Sequence, residues 1–254
     1  MKTGFVRPWI ALALAGAVVA AQAAQPQPMA GRSAAMGIIA DNGVRAEFLT
    51  EDFLSAHPDL RWRREALAAY QEQDYARALK LFKRAASFSD KPSQAAIAEM
   101  YWTGTGMSAD RPMAYAWSDL AAERLSPGLV AVRERYWREL NASERTSAIE
   151  RGQALLAEYG DHVARPRLGR VLRRNSGKMT GSRIGVIGNL QILPRRAPRA
   201  GNGMTFRGDE YYASKYWEPE EYFQLQNAAW GGPPPATGKV KVGEPEAAPS
   251  TDGN

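Results

Sequence analysis

Two glycines one residue apart, Gly104 and Gly106 in "YWTGTGMSAD", are the first place in this chain where backbone amides could cradle a phosphate. A dinucleotide loop needs a third glycine and a preceding strand, and this stretch supplies neither. "NSGKMT", Asn175 to Thr180, brushes against a nucleotide loop as well. Leu172 stands where its required earlier glycine belongs, so the stretch reads as a turn. The two histidines, His57 and His162, have no metal-ligand spacing and read as surface or helix-end residues. The carboxylate pairs Asp209-Glu210 and Glu220-Glu221 lie in polar surroundings and read as solvated. Cysteine is absent, which removes a thiol nucleophile, a disulfide framework and cysteine lipidation together. No catalytic, metal or cofactor constellation emerges, and the expectation is a protein that is not an enzyme.

Cationic chemistry is better represented. Arg165, Arg167, Arg170, Arg173, Arg174, Lys178, Arg183, Arg195, Arg196 and Arg199 share their stretch with one acid, Asp161. Guanidinium forks suit carboxylates and phosphates, so Arg167, Arg170, Arg173 and Arg174 are candidates for binding an anionic envelope polymer such as peptidoglycan or lipopolysaccharide. Their ordinary role would be a solvated basic surface. Across the chain, 33 Lys plus Arg against 27 Asp plus Glu give a net charge of +6, a mild excess that leans towards anionic partners and leaves the fold open.

The elements that must position these residues begin with an export signal. Lys2 and Arg7 precede the apolar run "WIALALAGAVVAA" and an Ala21-Gln22-Ala23 site, so residues 1–23 read as a signal peptide cut after Ala23. Cleavage would lower the net charge to +4. The run is short of the roughly 20 apolar residues that span a bilayer, and no integral membrane insertion is expected. These features look bacterial and place the protein in the periplasm; export also sets nucleic acid aside as a partner. Residues 24–56 read as a flexible lead-in with one short helix near Val44 to Leu54. Residues 57–160 show helical apolar spacing, 161–230 form a basic and aromatic extension, and 231–254, which lack the large apolar residues a core needs, read as a disordered tail. In the extension a short helix carrying Leu168, Val171 and Leu172 follows Pro166. A hairpin turn is expected at Gly188-Asn189, its β-element joined by Met204 to Phe206. A closing helix packs Tyr216, Trp217, Tyr222 and Phe223 on the helical array.

An internal repeat organises residues 57–160. Asp74, Ala78, Leu81, Ala85 and Ala86 recur 36 residues later as Asp110, Ala114, Trp117, Ala121 and Ala122. Upstream of each set lies another helix, with Ala66, Leu67 and Tyr70 in the first unit and Ile97, Ala98 and Tyr101 in the second. Each unit is therefore a helical hairpin. Gly104 and Gly106 bend the chain between two helices, Asp110 caps the second, and Pro112 fits its first turn. A third pair is expected from Pro127 to Tyr159. Its second helix starts with a capping box at Asn141 and Glu144 and presents Ile149, Gln153, Leu156 and Tyr159 as one stripe.

The second unit resembles the Sel-one-like repeat family, relatives of the tetratricopeptide repeat. Ile97-Ala98 stand at the family's Leu-Gly, followed by Tyr101, Gly104, Gly106, Asp110, Ala114, Trp117, Ala121 and Ala122, and Ala98 departs from the family's glycine. The first unit is closer to a tetratricopeptide unit. The resemblance implies an all-α protein in the main, an α-solenoid of about three hairpins with a small β-hairpin-containing extension. It also implies an adaptor that binds proteins of the cell envelope through each unit's first helix. Arg61, Arg64, Gln71, Gln94, Glu99 and Trp102 fall off the packing stripe and are the candidate protein contacts.

Overall fold

The computed structural model describes residues 43–179, 191–192 and 205–231, all within the unit Arg32–Asn254. The signal segment, the Gly188-Asn189 turn, Met204 and the residues after Gly231 lie outside the described residues. What is described is mostly helical.

The first four long helices follow from their caps. Helix α2 (Pro58–Gln71) opens with Pro58 in its first turn, where a missing N–H costs nothing, after a short helix α1 (Glu51–Ala56) capped by Thr50. Asp74 accepts from the Arg77 N–H to start α3 (Tyr75–Ala86), Asp90 from the Ser93 N–H to start α4 (Lys91–Thr103), and Asp110 from the Met113 N–H to start α5 (Arg111–Ala121). Helix α4 stops at Gly104 in the left-handed region (φ 71°), and the following Thr105 N–H closes back on the Met100 carbonyl at 3.0 Å. Gly106 is also left-handed (φ 76°), and a Cβ there would stand 2.2 Å from the Tyr75 Cβ. Its bareness lets the bend of the second hairpin press on the first turn of α3.

Helices α2 and α3 pack as one pair and α4 and α5 as another, with α3 against α4 between them. The shared core is made of Ala66, Ala69, Ala78, Leu81, Phe82 and Ala86 from the first pair and Ala96, Ile97, Ala98, Met100, Ala114, Trp117 and Leu120 from the second. Alanine at these positions allows close approach while larger side chains fill the gaps between helices.

Beyond α5 the repeat changes. Helix α6 (Pro127–Glu139) and helix α7 (Ala142–Tyr159) both pack on α5. The Asn141–Glu144 capping box is present in both directions. Of the stripe expected on α7 only Tyr159 lies on the packing face: Ile149 is 55% and Leu156 45% exposed, while Ala148 is buried and Leu155 joins Tyr159 against the core. Helix α7 meets α5 through that neighbouring face, and Ile149 and Leu156 point outward.

Helix α8 (Asp161–Met179) begins directly after Gly160 and carries Pro166 in its interior. The turn expected at Asn175–Thr180 is therefore helical as far as Met179, and the short helix expected after Pro166 starts five residues earlier. Two residues, Gln191–Ile192 (β1), pair antiparallel with Phe206–Arg207 (β2). Three short helices follow: α9 (Gly208–Tyr211), α10 (Ser214–Trp217) and α11 (Pro219–Ala229).

The aromatic segment packs on the start of α2 but not over the repeat core. Tyr211, Tyr216, Trp217, Tyr222 and Phe223 join Val44, Phe48, Phe53, Ala56, Leu60, Leu168 and Leu172 in a second core. Residues 43–56, expected as part of a flexible lead-in with one short helix, carry a 3-10 turn at Ala46–Phe48 and α1, and supply part of that core by burying Phe48 and Phe53 among edge-to-face rings.

Candidate functional site

The six candidate contacts separate into three environments. Arg61 and Gln71 are exposed and Arg64 half-buried on α2. Arg61 pairs with Glu65 at 3.0 Å, one helical turn on, and its guanidinium lies 4.7 Å from the ring centre of Trp62. Arg84 of α3 approaches the same ring at 4.9 Å. Trp62 is thereby held between two cations at the seam of α2 and α3.

Glu99 and Trp102 are brought together, but by an internal partner. The Tyr136 ring of α6 stacks on Trp102 at 3.9 Å and 5°, its hydroxyl donates to Glu99 Oε2 at 2.7 Å, and Arg111 lies 4.9 Å from the Trp102 ring. Burial, reinforced by the Glu99 acceptor, raises the Tyr136 hydroxyl well above its usual range and keeps it a donor. The positions 31 residues earlier in the repeat, Ala68 and Gln71, remain exposed.

Gln94 is not a surface contact. It is fully buried in the first turn of α4, where its amide donates to the Tyr159 carbonyl at 3.2 Å and its oxygen accepts from Lys91 at 3.1 Å. The start of α4 is covered by α7 and α8, which enter from 65 or more residues away.

The arginines of α8 also divide. Arg170, Arg173 and Arg174 are exposed, and their i, i+3, i+4 spacing places them on one face. Arg167 is turned inward and donates to the Ser87 carbonyl at the end of α3. The face left free is smaller than the four-residue set by that one guanidinium.

A buried polar network, absent from the sequence-based reading, joins the two cores. Lys91, 3% exposed, donates to the Leu120 carbonyl at 3.0 Å and to Glu123 at 2.7 Å, and lies 3.1 Å from Asp161. Arg124 reaches Asp161 at 2.7 Å and the Ser89 carbonyl at 3.0 Å. Burial pushes the Asp161 carboxyl up, but Arg124 and Lys91 outweigh it and hold the group well below the usual carboxylate range. Burial lowers the Lys91 ammonium from its ordinary value despite Asp161 beside it. A crevice of about 10 Å³ lies among Lys91, Arg124, Ser126, Leu129, Asn227 and Trp230, room for roughly one water molecule.

A second buried cluster includes His57, expected at the surface or at a helix end. His57 sits at the start of α2, fully buried, its ring stacked on Phe53 at 3.8 Å. Its Nδ1 lies 2.8 Å from the Phe53 carbonyl and its Nε2 2.7 Å from the Tyr216 carbonyl. Nearby, Asp59 Oδ2 accepts from the Tyr222 hydroxyl at 2.7 Å and from Gln226 at 2.8 Å, while its Oδ1 lacks a hydrogen-bond partner. His57 and Asp59 thereby tie α2 to residues 216–226. Their tell-tale in the sequence is slight, since a polar residue beside a proline at a helix start is ordinarily solvated.

Among the described residues no group of three His, Asp or Glu side chains could hold a metal ion, and no helix is long and apolar enough to cross a membrane. Compared with protein-family models, curated proteins and solved structures, the chain matches none of them.

Proposed function

We propose that this protein is an exported, non-enzymatic adaptor of the bacterial cell envelope, a tetratricopeptide-like or Sel-one-like α-solenoid that binds another protein through the open side of its first unit. The observation that carries this reading is the contrast between equivalent positions. In the second unit Glu99 and Trp102 are engaged by Tyr136, whereas Ala68 and Gln71 of the first unit are exposed beside Arg61 and Arg64. The first unit keeps the surface that the second spends on internal packing. Arginine beside an aromatic ring, as at Arg61 and Trp62, is a common anchor of protein interfaces. The paired R64A and Q71A substitutions in the full chain should reduce co-purification of the envelope partner at least about tenfold, because interface anchors carry on the order of 2 kcal/mol each. Undiminished capture by that variant would contradict the reading.

A second reading, binding of an anionic envelope polymer, is favoured by the exposed row Arg170, Arg173 and Arg174. Neutralising the three should then release the protein from isolated cell-wall or lipopolysaccharide fractions, and raised salt should have the same effect.

A further inference from the structure

The outer face of α3 carries an uncompensated charge. Arg77, Lys80 and Arg84 are exposed and Lys83 half-exposed, and α3 contains no acidic residue at all. None of the four has an ion pair among the described residues, and three neighbouring carboxylates are committed elsewhere. Asp74 caps the helix, Glu65 pairs with Arg61, and Asp90 is buried against Arg63 at 2.8 Å. Cations in a last helical turn are favoured by the helix dipole, which accounts for Lys83 and Arg84. It does not account for Arg77, which stands in the first turn, where the dipole disfavours a cation. The i, i+3 and i+4 spacings also set these like charges against one another. The fold thus tolerates a row of mutually repelling cations, one of which, Arg77, stands against the helix dipole.

The row has apolar edges. On the α2 side Arg84 lies over Trp62, and on the α4 side Lys83 approaches the Tyr101 ring at 6.0 Å beside the half-buried Leu79. A polyanion with charge alone would need only the cations. A polypeptide bearing both carboxylates and apolar side chains would use the rings as well. Arg77, Lys80 and Arg84 follow one another at three and four residues, about 4.5 and 6 Å along the axis, the rise at which carboxylates recur on one face of another α-helix. We propose that the outer face of α3, edged by Trp62, is a docking surface for an acidic helical segment of a partner protein. The proposal rests on the adaptor reading in taking the partner to be a protein, and it assigns that partner's chemistry.

The probe is a fluorescein-labelled helical peptide with glutamates at i, i+3 and i+7 beside one leucine, titrated with the full chain by fluorescence anisotropy. A matched peptide with glutamine in place of glutamate is the control. The proposal expects saturable binding of the glutamate peptide alone. The paired substitutions K80E and R84E should weaken it about tenfold or more, and Trp62→Ala about threefold without changing the salt dependence. R77Q with K80Q, which removes charge from exposed positions without reversing it, should weaken binding in the same direction, and circular dichroism verifies that each variant is folded. Absence of glutamate-peptide binding would overturn the proposal, as would binding unaffected by K80E and R84E. So would equal competition by polyphosphate together with indifference to Trp62→Ala, the mark of a general polyanion surface. Co-purification of an envelope partner by a K80E and R84E variant would leave the adaptor reading intact while this surface fails. Peptide binding without any co-purified partner would do the reverse.

Discussion

His57 faces two carbonyl oxygens with two ring nitrogens, although a neutral imidazole carries one N–H. Protonation would supply the second hydrogen bond, but burial dominates and lowers its pKa from 6.5 to about 4. Asp59 is displaced the other way. Burial, then the Asp90 charge, raises it from 3.8 to about 6. The two therefore load stability oppositely. The contribution of His57 is fully present above 6.5 and is lost as pH falls towards 4; that of Asp59 is fully present below 3.8 and is lost as pH rises towards 6. Replacing Asp59 with asparagine removes the second contribution and leaves the first. Asp59→Asn should accordingly be more costly at about pH 4.5 than at about pH 7, by on the order of 1 to 3 kcal/mol in urea unfolding. A cost greater at neutral pH would contradict this assignment. Neither burial was legible in the sequence, because the residues that cover Asp59, Tyr222 and Gln226, lie 163 and 167 residues away. Only the place of His57 at a helix end could be read locally.

Helix ends and hairpin spacings are local properties, and they were legible. Asp110 and the Asn141–Glu144 box cap as their spacing implies, Asp74 caps at the equivalent position one repeat earlier, and Gly104 and Gly106 adopt the positive φ of a bend. Ala85 and Ala121 are buried where helices meet, so Ala85→Leu and Ala121→Leu should each lower stability by about 1 to 3 kcal/mol through overpacking. Gly106→Ala should also destabilise, since its Cβ would collide with Tyr75 and its φ is left-handed. Thermal melts of the three variants check both points; unchanged melting temperatures would place these residues outside the packed seams. The face of α7 was not legible. Its sequence offers two apolar stripes a fraction of a turn apart, and only the choice of α5 as neighbour selects Ala148, Leu155 and Tyr159 over Ile149 and Leu156.

At the scale of the molecule, the chain bends back so that residues 43–60 and 206–223 complete one core while the hairpin pairs make the other. Lys91, Arg124 and Asp161 fasten α4, the turn after α5 and α8 to each other. Composition alone hid this arrangement, since the aromatic extension and the lead-in each look incomplete until they meet. Candidate contacts in the second unit were absorbed by the helices that follow it, Glu99 and Trp102 by Tyr136 of α6 and Gln94 by Tyr159 of α7, while Arg61 and Gln71 of the first were left at the surface. The most direct measurement of the adaptor claim is site-specific photocrosslinking of the full chain in native envelopes, with the photoreactive residue at Gln71 and, as a comparison, at Gln153 on α7. The account predicts one defined protein crosslinked from Gln71 and none of it from Gln153. Envelope association without any protein crosslink at Gln71, lost on neutralising Arg170, Arg173 and Arg174, would contradict it.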